Sequence, residues 1–409
     1  MNIKAYSALK KEALKKFNYK IINGKSLANI LSFSIKNEAN LLINKYNLIP
    51  PKLKIIHIGN KQDSLLYIKN KIKKCEEIGF EVEIKMFEDT KDLDYSTIAK
   101  EIIRSGKDRN INGIILQLPL PLHLEPYKLQ ILNKIPKFKD VDGLNEKNFG
   151  INILRKNYIE CDRKITAKDI DENTENIEYY INSFKNQFVE SQNNSNTEFT
   201  SDFKLRLLYE NIADNKIFNL VPPTALGVIE MLRLCIYFQN DLIKYAEWAS
   251  LIDFESRNKI KNEFNLTELN STVIGRSNVA GNPISILLQK LNSTVTTCHS
   301  FTKNTKFYCK NSDIIVSAVG KPLFIKNDYI KQNSIVIDVG INFVSSEENE
   351  DKKLTVGDVD FNEVIETAKY ITTVPNGVGQ LTVVMLLNNL LKAWKYQNGI
   401  YIFEETPDF

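Results

Sequence analysis

The chain has 409 residues, with 54 lysines and arginines against 50 aspartates and glutamates, a formal charge of +4. Hydrophobic residues at 43% and charged residues at 25% suit a globular protein of two or three domains. So even a balance excludes a nucleic-acid binder whose whole surface is basic, and no uninterrupted apolar run of about 18 residues offers a membrane span. Cys75, Cys161, Cys235, Cys298 and Cys309 form no CxxC pair and read as reduced thiols. His57, His123 and His299 show no HxxxH or HExxH spacing, so no metal site is expected.

Met1 to Lys20 carries Lys4, Lys10, Lys11, Lys15, Lys16 and Lys20 with one acid, Glu12. It reads as a solvated helix in a cytoplasmic protein; an organelle presequence is the alternative, disfavoured because arginine is missing. From Lys25 to about Tyr46 apolar residues recur at helical spacing until Pro50-Pro51. Leu53–Gly59 is then a buried strand, Ser64–Ile78 a helix capped by Gly79, and Phe80–Phe87 a strand. Tyr95–Gly106 is helical and Gly113–Leu118 is a third strand. This alternation predicts an α/β domain over residues 20–150 with a parallel sheet.

Polar runs such as DENTEN and SQNNSNTE mark residues 151–220 as an insert too poor in apolar surface to fold, hence largely mobile. A second insert, about 240–270, contains Trp248 and is expected to hold a helix. A second α/β series occupies 221–378: strands at Ser271–Gly275, Thr294–Cys298, Asp313–Val319, Ser334–Val339 and Tyr370–Val374, with a helix over Asn282–Leu291. That is the pattern of a Rossmann-like, doubly wound nucleotide-binding domain. A last helix spans Leu381–Tyr396.

The loop Gly275-Arg276-Ser277-Asn278-Val279-Ala280-Gly281 joins a strand to a helix N-terminus, where backbone can approach a phosphate. It is not GxGxxG, and a plain structural turn would look similar. Arg276 beside the first glycine, with His299-Ser300 ending the next strand, suits a ribose carrying an extra phosphate. No acid stands at that strand end, so NADP is favoured over NAD.

In the first domain, Ser64, Tyr67 and Lys71 share one helix face. A solvated face is the bland reading of that spacing. Two segments shift it: Gly113-Ile-Ile-Leu-Gln117-Leu118-Pro119-Leu-Pro121 sets an amide at a strand mouth, and Lys139-Asp140-Val141-Asp142-Gly143 sets paired acids in a tight turn.

YIKNKIKKCEEIGF, GIILQLPLP, KDVDG, VIGRSNVAGNP, VTTCHS, IVSAVGKP, IVIDVGIN and TVPNGVGQLTV, in this order, resemble the signatures of the bifunctional methylenetetrahydrofolate dehydrogenase/cyclohydrolase family. The resemblance implies a homodimeric two-domain enzyme with tetrahydrofolate derivatives as substrates. The folate lies in the cleft, NADP on the second domain, and the helix at about 380–400 completes the first. It implies Lys71 as the catalytic lysine, Tyr67 as the ring stacked on folate, Gln117 as the amide tuning Lys71, and Asp142 as the acid holding the pterin. Ser64, Leu118, Pro119, Gly377, Val378 and Gly379 complete the substrate set. Thr224, Gly275, Arg276, Ser277, Val279, Gly281, Pro283, His299, Ser300, Gly320, Lys321, Gly340, Ile341 and Asn342 form the cofactor set.

The expected chemistry suits this equipment. Hydride leaves the methylene bridge without any proton being removed, so positioning carries that step and no histidine base is needed. Hydrolysis of the methenyl cation then needs proton transfer at the ring nitrogens. A lysine serves there when a cationic substrate and burial favour the neutral amine.

Two segments depart from the pattern. PCTPKG is replaced by Pro222-Pro223-Thr224-Ala225-Leu226-Gly227, and PGGVGPMT by Pro375-Asn376-Gly377-Val378-Gly379-Gln380-Leu381-Thr382. Asn376 tolerates unusual backbone angles, so the turn is expected to survive, while Gln380 is expected to loosen it by removing a proline. Two other readings stay open: a dehydrogenase with weak cyclohydrolase, and a folate- or nucleotide-binding protein without turnover.

Overall fold

The computed structural model describes residues 3–154, 219–250, 263–345, 353–398 and 400. The first half runs α1 (Ile3–Lys16), β1 (Ile21–Ile22), α2 (Gly24–Tyr46), β2 (Lys52–Ile58), α3 (Gln62–Ile78), β3 (Glu81–Phe87), α4 (Tyr95–Lys107), β4 (Gly113–Leu116), α5 (Lys128–Leu132) and α6 (Glu146–Leu154). Local chemistry explains the boundaries. Asn23 and Asp94 cap α2 and α4 by accepting from the Ser26 and Thr97 amides at 3.0 and 2.9 Å. Gly79, at φ 94°, ends α3 by donating its N–H to the Cys75 carbonyl.

β2 lies between β3 and β4 in a three-stranded parallel sheet. Its alternating side chains feed two cores. Leu53 and Ile55 join Ile68, Cys75 and Ile78 of α3, whereas Ile56 and Ile58 join Ile98 and Ile102 of α4.

The second half continues with α7 (Pro223–Ile236), α8 (Leu242–Ser250), β5 (Asn270–Ile274), α9 (Gly281–Lys290), β6 (Thr294–Cys298), α10 (Thr305–Lys310), β7 (Ile314–Ser317) and β8 (Ile335–Asp338). The hairpin β9 (Asn342–Ser345) and β10 (Lys353–Val356) follows, then α11 (Phe361–Val364), β11 (Tyr370–Thr372) and α12 (Val378–Gln397). Six strands pair in parallel in the order β6-β5-β7-β8-β11-β1. The order reverses between β5 and β7, which makes the sheet doubly wound with its crevice at that switch point.

α7 and α12 pack on each other, and α12 also packs on α2. Asn389 on α12 donates to the Val141 and Val221 carbonyls at 2.8 Å each, and Trp394 donates to the Ile49 carbonyl at 2.9 Å. Buried amide and indole donors with partners of this kind tie the last helix firmly to the first half.

Several expectations change. The solvated N-terminal helix is instead docked: Tyr6 is buried, and Ala13, Leu14 and Phe17 pack on the core formed by Val364, Ile365 and Ile371. Its lysines had masked an apolar stripe at helical spacing. The strand expected over Gly113–Leu118 stops at Leu116. The last helix starts at Val378, so Gly379 and Gln380 lie in its first turn.

The helix expected near Trp248 is α8, and it belongs to the core rather than to a loose insert. Tyr245 donates to Glu230 Oε2 at 2.5 Å, and Arg233 lies 5.4 Å from the Trp248 ring and 5.1 Å from Phe264. Residues 155–218 and 251–262, including the polar runs, lie outside the described residues.

Candidate active site

The sheet brings the first set of residues together. Gln117 follows β4, where its N–H donates to the Ile56 carbonyl at 2.8 Å. Ile55 and Ile115 are register partners in the core beneath α3, so Gln117, two residues on, continues toward the same face. There Lys71 Nζ donates to Gln117 Oε1 at 3.0 Å. Gln117 Nε2 donates in turn to the Leu118 carbonyl at 2.8 Å, which fixes the amide with its oxygen toward the lysine.

Ser64 is buried, and Tyr67 and Lys71 are half-buried along the same face of α3. Asp142 keeps some surface, yet burial raises its carboxyl above the usual range while the Lys71 charge opposes that rise. Lys71 is therefore coupled to both Gln117 and Asp142. Leu118 is half-buried and Pro119 is exposed at the mouth.

Asp140, the other acid of the pair, does different work. It is 1% exposed, accepts from Asn145 N at 2.8 Å and Asn148 Nδ2 at 2.9 Å, and burial pushes it up to about 6. It shapes the turn that presents Asp142. His57 lies on β2 near Gln117 and is 1% exposed. Neither of its ring nitrogens has a hydrogen-bond partner among the described residues, and burial lowers its pKa.

The second set lines the switch point. Gly275 has φ 114°, and a Cβ there would overlap the Ala318 carbonyl, so only glycine lets the loops after β5 and β7 approach this closely. Gly275 N–H bonds the Cys298 carbonyl at 2.8 Å, which sets the β6 end beside the loop. Arg276, Ser277 and Val279 are exposed on one side of that junction, and Ser300 is exposed with His299 half-buried on the other. Gly281 and Pro283 are buried at the start of α9.

Other members of the set are placed less directly. Thr224 opens α7, and its hydroxyl lies 3.3 Å from that of Thr382 on α12. Val378 is 2% exposed and belongs to the main core. Asn376 has φ 73°, the strained angle that asparagine tolerates. Gln380 donates its N–H to the Gly377 carbonyl at 3.2 Å, a bond proline cannot make.

One residue was missed. Asp358 is fully buried and accepts five hydrogen bonds: from Ser317 Oγ, Val319 N and Gly320 N on Oδ2, and from Lys321 N and Asn342 Nδ2 on Oδ1, all between 2.8 and 3.2 Å. The Gly320 and Lys321 amides and the Asn342 side chain are thus committed to this carboxylate. Asp338 repeats the device one strand away, accepting from the Gly340, Asp358 and Val359 amides at 2.9–3.0 Å. The two acids hold the Val319–Lys321 and Gly340–Asn342 loops in register beside Gly275. The signal available in sequence was Gly357-Asp358-Val359-Asp360 after an apolar run, where surface acids are the ordinary reading.

Residues 22–142 match the family model for the tetrahydrofolate dehydrogenase/cyclohydrolase catalytic domain, and residues 259–398 match that of its NAD(P)-binding domain. The chain belongs to the tetrahydrofolate dehydrogenase/cyclohydrolase family.

Among curated members, the bifunctional protein FolD of Clostridium novyi is 33% identical over 91% of this chain and 99% of its own length. FolD of Rickettsia bellii is 32% identical, over 92% of this chain and 98% of its own. Among solved members, the methylenetetrahydrofolate dehydrogenase-cyclohydrolase of Trypanosoma brucei, complexed with NADP cofactor and inhibitor, superposes with TM-score 0.66 at 26% identity, covering 92% of this chain and 97% of that one. Ser64, Tyr67, Lys71, Gln117 and Asp142 lie within the first matched segment, and the cofactor set apart from Thr224 lies within the second. No helix among the described residues is long and apolar enough to cross a membrane.

Proposed function

We propose that this chain oxidises methylenetetrahydrofolate with NADP and then hydrolyses the methenyl product to formyltetrahydrofolate. What carries the reading is the 3.0 Å hydrogen bond from Lys71 to Gln117, with the Lys71 charge acting on Asp142, in the segment that matches the family's catalytic domain. The working division is residues 20–150 with the helix at 380–400 for folate, and 221–378 for the cofactor. The homodimer implied by the resemblance remains part of this reading.

The cofactor side fits a dinucleotide. The close approach at Gly275 leaves no room for a Cβ, and an exposed arginine and serine flank the junction of β5 and β6. Arg276, Ser277 and Ser300 would hold the ribose phosphate, and that extra charge favours NADP over NAD. When bound, NADP supplies the hydride acceptor.

The chain's own residues do the rest. Tyr67 offers a ring for the pterin and Asp142 an acceptor for its N–H groups, which together aim the methylene carbon. Water attacks the methenyl carbon, Lys71 Nζ takes one of its protons and returns it to the ring nitrogen as the carbon–nitrogen bond breaks, the second proton leaves to solvent, and Gln117 keeps the amine in line.

The test follows reduced cofactor and methenyltetrahydrofolate separately, for wild type and Lys71→Met. Wild type should form NADPH with little methenyl product accumulating, whereas Lys71→Met should lose hydrolysis by roughly a hundredfold or more. Full hydrolysis by Lys71→Met would remove that residue from the mechanism. Binding of folate and NADP by folded wild type without turnover would favour a binding protein instead.

A further inference from the structure

The helix α1 and its linker precede residue 22, where the family match begins. Tyr6, Lys10, Ala13 and Leu14 share one face of α1 with Phe17 just beyond its end, and the apolar members of this stripe seat the helix on the second sheet's core. Lys10 Nζ reaches through the stripe to the Val374 carbonyl at 2.5 Å and lies 5.4 Å from the Phe361 ring. Asn362 Nδ2 donates to the Tyr6 carbonyl at 3.2 Å, and Lys20 Nζ donates to the Ile365 and Glu366 carbonyls at 3.2 and 2.7 Å.

Val374 leads directly into Pro375–Gly379, which holds Gly377, Val378 and Gly379 of the proposed substrate set. At its far end, a Cβ on Gly379 would lie only 3.4 Å from Ile341 in the cofactor set. From the side, Gly24 packs so tightly on the Asn376 and Gly377 carbonyls that a Cβ there would overlap both. Behind the loop lies Asp338, whose carboxylate holds the Gly340, Asp358 and Val359 amides. Burial lowers the Lys10 pKa, and the charge of Asp338 opposes that fall. Asp338 is tied to the strand that leads into this loop, because its N–H donates to Thr372 Oγ1 at 2.7 Å.

We infer that Lys10 is a positioning residue that pins the Pro375–Gly379 loop to the cofactor platform around Asp338, so that the folate-side and NADP-side loops are held in register before either ligand binds. The inference rests on the proposed folate and NADP sites. It assigns to a segment outside the family match a part in substrate affinity. Lys10 touches no reacting atom, so its removal should act on KM rather than on kcat.

The experiment uses the full chain and compares Lys10→Met, Lys10→Arg and the exposed-site control Lys11→Ala in steady-state kinetics with methylenetetrahydrofolate and NADP. Lys10→Met should raise the KM for methylenetetrahydrofolate by about fivefold or more, with kcat changed less than about twofold. Lys10→Arg should recover most of the loss, and Lys11→Ala should match wild type. An unchanged KM in Lys10→Met overturns the inference, as does an equal fall of kcat in the Met and Arg variants. If Lys10→Met does not fold by circular dichroism, Lys10→Gln is read in the same way: a raised KM supports the role and a wild-type KM overturns it. A wild type that makes no NADPH would instead strike the proposed function, so the two failures are distinguishable.

Discussion

Replacing Gln117 by leucine separates the two proposed activities. The substitution removes the 3.0 Å bond from Lys71 and the 2.8 Å bond to the Leu118 carbonyl, while keeping a side chain of similar length. A hydrogen bond to a charged group contributes about 1.5–3 kcal/mol. Lys71 and Gln117 are both partly open to water, so screening reduces this to about 1–2 kcal/mol. Expressed as a barrier, that is roughly a 5- to 30-fold loss in hydrolysis. Hydride transfer needs no proton from Lys71, so the dehydrogenase rate should change by less than about twofold. The assay measures decay of supplied methenyltetrahydrofolate and, separately, NADPH formation from the methylene substrate. Equal losses in both would show that Gln117 acts through binding or folding, and unchanged hydrolysis would show that Lys71 does not depend on it. Either result refutes the reasoning.

The remaining expectations concern the cofactor half and the core. Asp358→Asn keeps one acceptor oxygen for five donors, so it should destabilise by about 1–3 kcal/mol in urea denaturation and raise the KM for NADP above that for folate. An unchanged midpoint and KM would dismiss the clasp. Arg276→Ser should weaken NADP by roughly 10- to 100-fold and NAD much less, read from the two KM values; equal effects would detach Arg276 from the phosphate. Lys139 is 3% exposed, donates to the Asp108 carbonyl at 2.6 Å, and burial pushes its amine down from 10.5 to about 8. Between those two values the folded state releases a proton that the unfolded state retains, so stability should rise with pH across that window. Lys139→Met should flatten the rise, and denaturation curves that stay parallel in both proteins would refute it.

Much of the site was legible because its parts are local. Ser64, Tyr67 and Lys71 share a face by helix geometry alone, and the turns at Gly79 and Gly275 declare themselves by glycine where the backbone enters positive φ. Asn376 kept its turn for the same local reason. Apolar runs bounded by glycine and polar residues likewise marked the strands, although the one expected to reach Leu118 ends at Leu116. The alternation of strands and helices was sufficient for the α/β class and for a doubly wound sheet.

What the sequence by itself determined, then, was the elements, the family resemblance and the identity of the chemical groups, since these follow from neighbours along the chain. Only tertiary structure decided which groups meet. Lys71 reaches Gln117 across 46 residues, Asp358 gathers donors from two separate segments, and Lys10 bonds a carbonyl 364 positions away. The same packing turned Val378 inward, made α8 part of the core, and seated the lysine-rich α1 against the second sheet. The physical reason is that a buried carboxylate or ammonium is tolerable only where distant backbone supplies its partners. No pattern along the chain records that supply.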